Sequence, residues 1–242
     1  MNPIFVEYRF QLEDMQEDVY YVEIDAHTLR VVGLVHHDLP DWTRLSHCQC
    51  SNCPLDDQLV AQCPAAFNMV GLVNRFDQLL SYDEAKVIVK TDERTISSNT
   101  TVQRGVCSLM GLLMAASGCP LTAFFKPMAR FHLPFASTEE TIWRATSTYV
   151  LSQYFLYKEG RTPDLVFKGL SKLYNEIQIV NQAFAKRLRS ACRQDSMVNA
   201  IILLDMFAKS MPSAIEESLE ALHYLFQPLL SSLDSVELAA KP

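Results

Sequence analysis

The chain has 242 residues, of which 49% are hydrophobic and 20% charged, so it is long enough to bury a substantial core and has the composition of a soluble globular protein. Its formal net charge of −7 provides no overall basic field, and we expect neither nucleic acid nor membrane as a partner. The N-terminus lacks the pattern of a secretory signal, and the longest apolar run, residues 105–116, is too short to span a membrane. These features favour a cytoplasmic protein.

The first third of the chain alternates apolar and polar residues in the manner of half-buried strands. Residues 4–12 and 20–25 have this period of two, and polar residues 13–18 predict the turn between them. Residues 29–35 predict a third short strand. Residues 86–96 predict another, pairing with the N-terminal strands. Together they indicate a small antiparallel meander.

Four of the seven cysteines lie in a segment of little periodicity, residues 36–64, at Cys48, Cys50, Cys53 and Cys63. A long connection without secondary structure is costly to order, and a bound metal ion offsets that cost. Dense thiolates on short loops are typical of a tetrahedral metal site. We therefore predict a structural zinc site with these four cysteines as ligands.

The same cysteines support other interpretations. Cys53 and Cys63 each precede a proline, as in ferredoxin-type ligation, so an iron–sulfur cluster is the alternative cofactor. Unligated thiols or a redox pair form a third possibility. His47 is a spare ligand. Cys119, between Gly118 and Pro120, either approaches the cluster or is a capped loop residue.

The chain after residue 100 has the spacing and capping residues of helices. Thr100 or Thr101 begins an apolar core helix that Gly118 ends, and an extended connector follows over residues 119–135. Ser137 begins the next helix through a capping box with Glu140. Further helices are predicted to begin at Thr162-Pro163, at Ser196 and, after a break before Pro212, at Ser213.

These elements predict an α+β fold in which a small N-terminal antiparallel β meander, with a cysteine-rich metal knuckle, packs on a C-terminal antiparallel helical bundle. The β-rich region covers residues 1–99 and the bundle residues 100–242, packed as one compact body. Long amphipathic helices rich in aromatic residues leave apolar stripes that need burial, so we expect a protein partner or a homodimer.

A second candidate site lies on the predicted connector. Lys126, Arg130 and His132 precede Glu140 and Arg144, and this set is a candidate for binding an anionic ligand or for acid–base chemistry. The alternative, which we favour, is that the cationic residues hydrogen-bond the backbone of an irregular loop. An enzyme would need a pocket that joins His132 to Glu140 or to Asp195. Polar residues close to helical apolar stripes also predict a buried network: Arg144, Asn181, Arg187, Asp195, Asn199 and Asp205.

Four short motifs resemble those of a family of uncharacterised bacterial proteins, over most of the chain. They are C-Q-C-S-N-C-P-L from Cys48, C-P-A-A from Cys63, S-G-C-P from Ser117 and H-L-P-F from His132. The resemblance implies a bacterial cytoplasmic protein and supplies no catalytic residue.

The leading hypothesis is a non-enzymatic, metal-stabilised binding or scaffold protein with structural zinc. An iron–sulfur redox or sensor protein is the first rival. The second is an enzyme centred on residues 126–140, although the sequence has no glycine-rich phosphate loop, G-x-S-x-G or H-E-x-x-H motif.

Overall fold

A computed structural model describes residues 2–12 and 17–239, apart from the side chains of residues 216–218, 221 and 234–239. The fold is α+β, as expected, and its antiparallel sheet has the strand order β3-β2-β1-β4-β5. Residues 13–16 of the expected turn lie outside the described part of the chain. The strands are Ile4–Leu12 (β1), Glu17–Ile24 (β2), Val31–Val32 (β3), Glu84–Lys90 (β4) and Thr95–Thr101 (β5).

Helices make up most of the remaining chain. The α-helices are Pro64–Phe76 (α1), Val102–Ala115 (α2), Lys126–Arg130 (α3), Thr138–Lys158 (α4), Lys168–Ala191 (α5), Ser196–Leu222 (α6) and Gln227–Ala239 (α7). Short 3-10 helices cover Asp41–Thr43, Pro120–Phe125 and His223–Leu225.

The core forms between one face of the sheet and the helix α2. Val6, Tyr8 and Phe10 alternate along β1 and are buried, as the period of two predicts. Gly105 brings α2 close to this face, because a Cβ atom at that position would lie 2.6 Å from Cε1 of Phe10. The same apolar cluster continues into α1, α5 and α6, so residues on both sides of position 100 share one core. A smaller cluster joins α4, α5 and α6, with Ile142 and Leu170 among its members.

Two predicted elements were wrong in the β-rich and connector regions. Residues 84–101 form the hairpin β4–β5 rather than one strand. The polar residues between β4 and β5 turn the chain, and the backbone N–H of Thr91 donates to the carbonyl of Arg94 in this turn. The predicted extended connector contains the 3-10 helix Pro120–Phe125 and α3. Thr122 is buried there and donates to the carbonyl of Met114, which packs the connector against α2.

Two predicted helix boundaries also differ from the structure. The helix α6 continues through Pro212 instead of ending before it. Proline inside a helix costs about 3 kcal/mol, and burial of Met211 and Ile215 on either side offsets that cost. The helix α5 begins at Lys168 rather than at Thr162-Pro163. Asp164 holds the intervening loop, because it accepts hydrogen bonds from the backbone N–H groups of Val166 and Gly169.

One stretch of α6, Ser196–Ile215, is long and apolar enough to cross a membrane by length and composition. In the structure α6 packs against α2 and α5. A core helix of a globular protein can have the same length and apolar composition, so these two properties alone are weak evidence for a membrane span.

Candidate functional site

Four unbridged cysteines come together from three segments of the chain, and we call them the thiol cluster: Cys50, Cys53, Cys63 and Cys119. Cys50 and Cys53 share a tight turn in which the backbone N–H of Cys53 donates to the carbonyl of Cys50. Cys63 immediately precedes α1, and Cys119 immediately precedes the 3-10 helix Pro120–Phe125. Cys63 and Cys119 are buried, while Cys50 and Cys53 are half-buried against the same core.

The thiols interact electrostatically with one another. Burial raises the pKa of Cys50 to about 12, and charge on Cys63, Cys119 and Cys53 adds to the rise. Burial also raises the pKa of Cys119, with a further contribution from Cys63. Burial therefore favours the protonated thiols of Cys50 and Cys119 in the absence of a further cation that stabilises their thiolates.

Arg187 is the cation beside the thiol cluster. It is 2% exposed, and its charge lowers the pKa of Cys50. Its guanidinium donates hydrogen bonds to the backbone carbonyls of Trp42, Arg44 and Leu45. These hydrogen bonds order the irregular segment that precedes Cys50. In the described residues no carboxylate forms a salt bridge with Arg187. A buried charge without a counter-ion is costly, so the guanidinium favours negative charge nearby.

The other predicted ligands of this site lie at the protein surface or bind elsewhere. Cys48 is exposed and has φ +51°. His47 bonds through Nε2 to the hydroxyl of Ser190 on α5, at 2.8 Å. Within the described ranges no three His, Cys, Asp or Glu side chains already stand in a metal-binding arrangement. The zinc site and its ligands therefore stay a prediction.

A cavity of about 380 Å³ lies inside the helical part of the protein, and we call it the helical cavity. The helices α2, α4, α5 and α6 surround it, together with the connector over residues 119–137. Most of its lining is apolar, with Phe125, Leu204 and Phe207 among the larger side chains. Its volume is within the range of small-molecule sites, about 300–1,000 Å³.

His132 lies on the wall of the helical cavity, where a hydrogen-bonded chain joins it to the sheet. Its Nε2 is 2.5 Å from the Tyr8 hydroxyl oxygen, which is 2.9 Å from the hydroxyl oxygen of Ser108. Burial lowers the pKa of His132 to about 3, and the charge of Arg144 lowers it further. The imidazole is consequently neutral at physiological pH.

Three polar side chains from α4 and α5 also line the cavity. Arg144 donates through Nη2 to the carbonyls of Met128 and Phe131, and burial lowers the pKa of its guanidinium. Tyr174 is 4% exposed and Asn181 is 3% exposed. Neither the Tyr174 hydroxyl nor the Asn181 amide has a hydrogen-bond partner in the part of the chain that the structure describes.

Two of the five residues predicted as a ligand site, His132 and Arg144, meet in this cavity. Lys126 instead donates to the carbonyl of Thr28 at 2.6 Å. Arg130 stacks on the ring of Phe131, with 5.3 Å from the guanidinium carbon to the ring centroid. Glu140 completes the expected capping box with Ser137.

The predicted buried polar residues do not form one network. Asn181 and Arg187 are buried as expected, but Asn181 lines the cavity and Arg187 lies beside the thiol cluster. Asp195 accepts hydrogen bonds from Ser81 and from Asn199. Tyr8 and Tyr174 were not predicted as site residues, because their positions along β1 and α5 indicate only burial in the core.

Comparison with known families agrees with the resemblance noted in the sequence. Residues 6–227 match a protein family that is described as "Domain of unknown function (DUF6901)". The chain belongs to the DUF6901 family. No curated protein and no solved structure matches it. The DUF6901 match spans both the thiol cluster and the helical cavity, so both sites lie inside the family domain.

Proposed function

We propose that this DUF6901 protein is a non-enzymatic binding protein whose irregular segment is held in place by a metal ion on cysteine thiolates. The observation that carries the proposal is the convergence of Cys50, Cys53, Cys63 and Cys119 beside Arg187. Cys119 replaces the exposed Cys48 as the fourth ligand. Zinc is the first choice, because four thiolates with no open position are typical of a structural zinc site.

Electrostatics supports a metal at this position. A zinc ion bound by four thiolates keeps a net negative charge, which the buried Arg187 guanidinium offsets. Metal binding deprotonates the thiols, so the negative charge of the metal–thiolate site offsets the cost of burying the Arg187 guanidinium without a counter-ion. Side-chain rotation of the half-buried Cys50 and Cys53 would complete the ligand set. The ion would then link the loop, α1 and the connector that lines the cavity.

An iron–sulfur cluster is the second candidate, on one specific observation. Three of the four cysteines in the thiol cluster are followed by a proline, at Pro54, Pro64 and Pro120. Cysteine followed by proline recurs in iron–sulfur ligation. In that case the protein has a redox or sensor role, and the same fold supports the cluster.

Metal content in serine variants tests this proposal. Protein purified anaerobically without chelator should contain zinc near one ion per chain, and Cys119→Ser should lose most of it. Cys192→Ser is the matched control, because Cys192 ends α5 outside the thiol cluster and should keep the metal. Cys48→Ser is expected to keep it too. Iron with visible absorption would establish the second candidate, and neither metal near stoichiometry would overturn both.

The helical cavity supports binding rather than catalysis. An acid–base pair would need a carboxylate near His132, but Glu140 caps α4 and Asp195 bonds to Ser81. Neither carboxylate lines the cavity. Among the residues that the structure describes, the Tyr8 hydroxyl is the hydrogen-bond partner of the neutral His132.

The proposal includes a homodimer in the cytoplasm, formed through an apolar face on α4 and α7. Trp143 stacks on Phe226 at 5.5 Å between ring centroids, and both side chains are exposed. Other large apolar side chains on these helices are exposed as well: Leu151, Tyr154, Phe155, Leu229, Leu230 and Leu233. A face of this kind is typical of an interface. Light scattering should give twice the chain mass, and a monomer at micromolar concentration would refute the dimer.

A further inference from the structure

We propose that the helical cavity binds a small apolar molecule that carries a carboxylate, with Arg144 as the residue that takes the negative charge. The inference deepens the proposed binding function by naming a ligand class. It is independent of the metal, because no residue of the thiol cluster lines the cavity.

The apolar part of the ligand is inferred from the walls. Side chains from α2, α6 and the connector make most of the lining apolar, and the volume of about 380 Å³ fits a medium-length alkyl chain. Gly111 on α2 leaves part of this space open. A Cβ atom there would lie 3.7 Å from Cδ2 of Leu204, which is ordinary contact distance, so the position has room for a side chain.

The carboxylate is inferred from unused hydrogen-bonding groups on the cavity wall. Arg144 uses Nη2 for two backbone carbonyls, while Nη1 and Nε have no partner among the described residues. The Asn181 amide and the Tyr174 hydroxyl have no protein partner among the described residues either, and Tyr174 is close enough to interact with the charge of Arg144. These polar atoms keep accessible surface on the cavity wall, where a bound ligand can hydrogen-bond them.

The sign of the ligand charge follows from the cavity lining. Arg104 and Arg144 are its cationic residues, and none of the described lining residues is an aspartate or a glutamate. Glu140 acts weakly on Arg144 but is held in the capping box. Guanidinium groups bind carboxylates through charge-assisted hydrogen bonds. An amine would meet only like charge in this cavity.

Calorimetric titration with three probes of equal chain length tests the inference: decanoate, decanol and decylamine. Decanoate should bind the whole protein more tightly than decanol by on the order of tenfold to a hundredfold, the contribution of a hydrogen-bonded charge. Decylamine should bind weakest. Arg144→Gln should remove the preference for decanoate while leaving decanol binding unchanged.

A variant of Gly111 tests the location independently of Arg144. Gly111→Leu should abolish binding of both decanoate and decanol by filling the cavity, whereas the control Lys172→Leu, at an exposed position outside the lining, should keep both. If Arg144→Gln does not fold, Asn181→Leu replaces it and should weaken decanoate at least several-fold more than decanol.

Each outcome of the titrations has a distinct meaning. Equal binding of decanoate and decanol, or an unchanged preference in Arg144→Gln, would overturn the carboxylate assignment and leave a binding cavity. Absence of binding by all three probes would overturn the cavity as a ligand site. Decanoate binding by protein that contains no metal as purified would refute the metal proposal alone.

Discussion

The protonation of His132 provides a quantitative test of how the helical cavity is built. In the folded protein its pKa falls from 6.5 to about 3, because burial removes water from the imidazolium and Arg144 adds repulsion. The Tyr8 hydroxyl is the other titratable group in contact with the ring. We consider the substitution His132→Gln, which keeps a polar side chain and removes the titration.

The sign of the effect follows from proton uptake. Below pH 6.5 the unfolded chain binds a proton at His132, whereas the folded protein does not bind it until about pH 3. In this window the unfolded state holds more protons, so stability decreases as the pH falls. A slope of up to about 1.4 kcal/mol per pH unit gives a loss of about 2 kcal/mol through His132 between pH 7 and pH 5.

Urea unfolding of wild type and His132→Gln at pH 7, 6 and 5 measures this loss. The difference in unfolding free energy between the two proteins should shift by about 2 kcal/mol in favour of the variant at pH 5, since other titrating groups are common to both. His37→Gln is the matched control for the substitution itself, because it removes an exposed imidazole. Parallel pH dependence of wild type and His132→Gln would refute the burial of a neutral imidazole.

Further predictions concern packing and the buried arginine. Gly105→Ala should destabilise the protein by about 1–3 kcal/mol in urea unfolding, because the added Cβ collides with Phe10, and unchanged stability would contradict this packing. Gly111→Ala, at a position of the same helix where a Cβ atom has room, should instead raise the unfolding free energy by about 1 kcal/mol. A lower unfolding free energy in this variant would contradict the open space beside Gly111. Arg187→Met should cost at least about 3 kcal/mol by leaving three carbonyls unpaired, whereas the exposed control Arg189→Met should cost under about 0.5 kcal/mol. Equal losses in these two variants would argue against the buried guanidinium.

Elements with local determinants could be predicted from the sequence. The alternation along β1 identified its buried face, and Ser137 with Glu140 identified the first turn of α4, because each depends on residues a few positions apart. The continuation of α6 through Pro212 could not be predicted in this way. It depends on burial of neighbouring residues against α4 and α5, which propensity does not contain.

The same difference between local and non-local determinants applies to the two candidate sites. The density of cysteines near Cys50 was visible in the sequence, but the approach of Cys119 requires α2 to bring its C-terminal end to the loop. His132 and Arg144 were found from residue type. Their meeting with Tyr174 in one cavity depends on helix packing, a non-local property that spacing along the chain does not reveal.

The most direct test of the proposed metal site is X-ray absorption spectroscopy at the metal edge of the purified protein. We expect zinc with four sulfur neighbours at about 2.3 Å. Cys119→Ser should lose a sulfur neighbour or the metal, and Cys48→Ser should match wild type. A first shell of nitrogen and oxygen, or four sulfurs that persist in Cys119→Ser, would contradict the assignment of the thiol cluster.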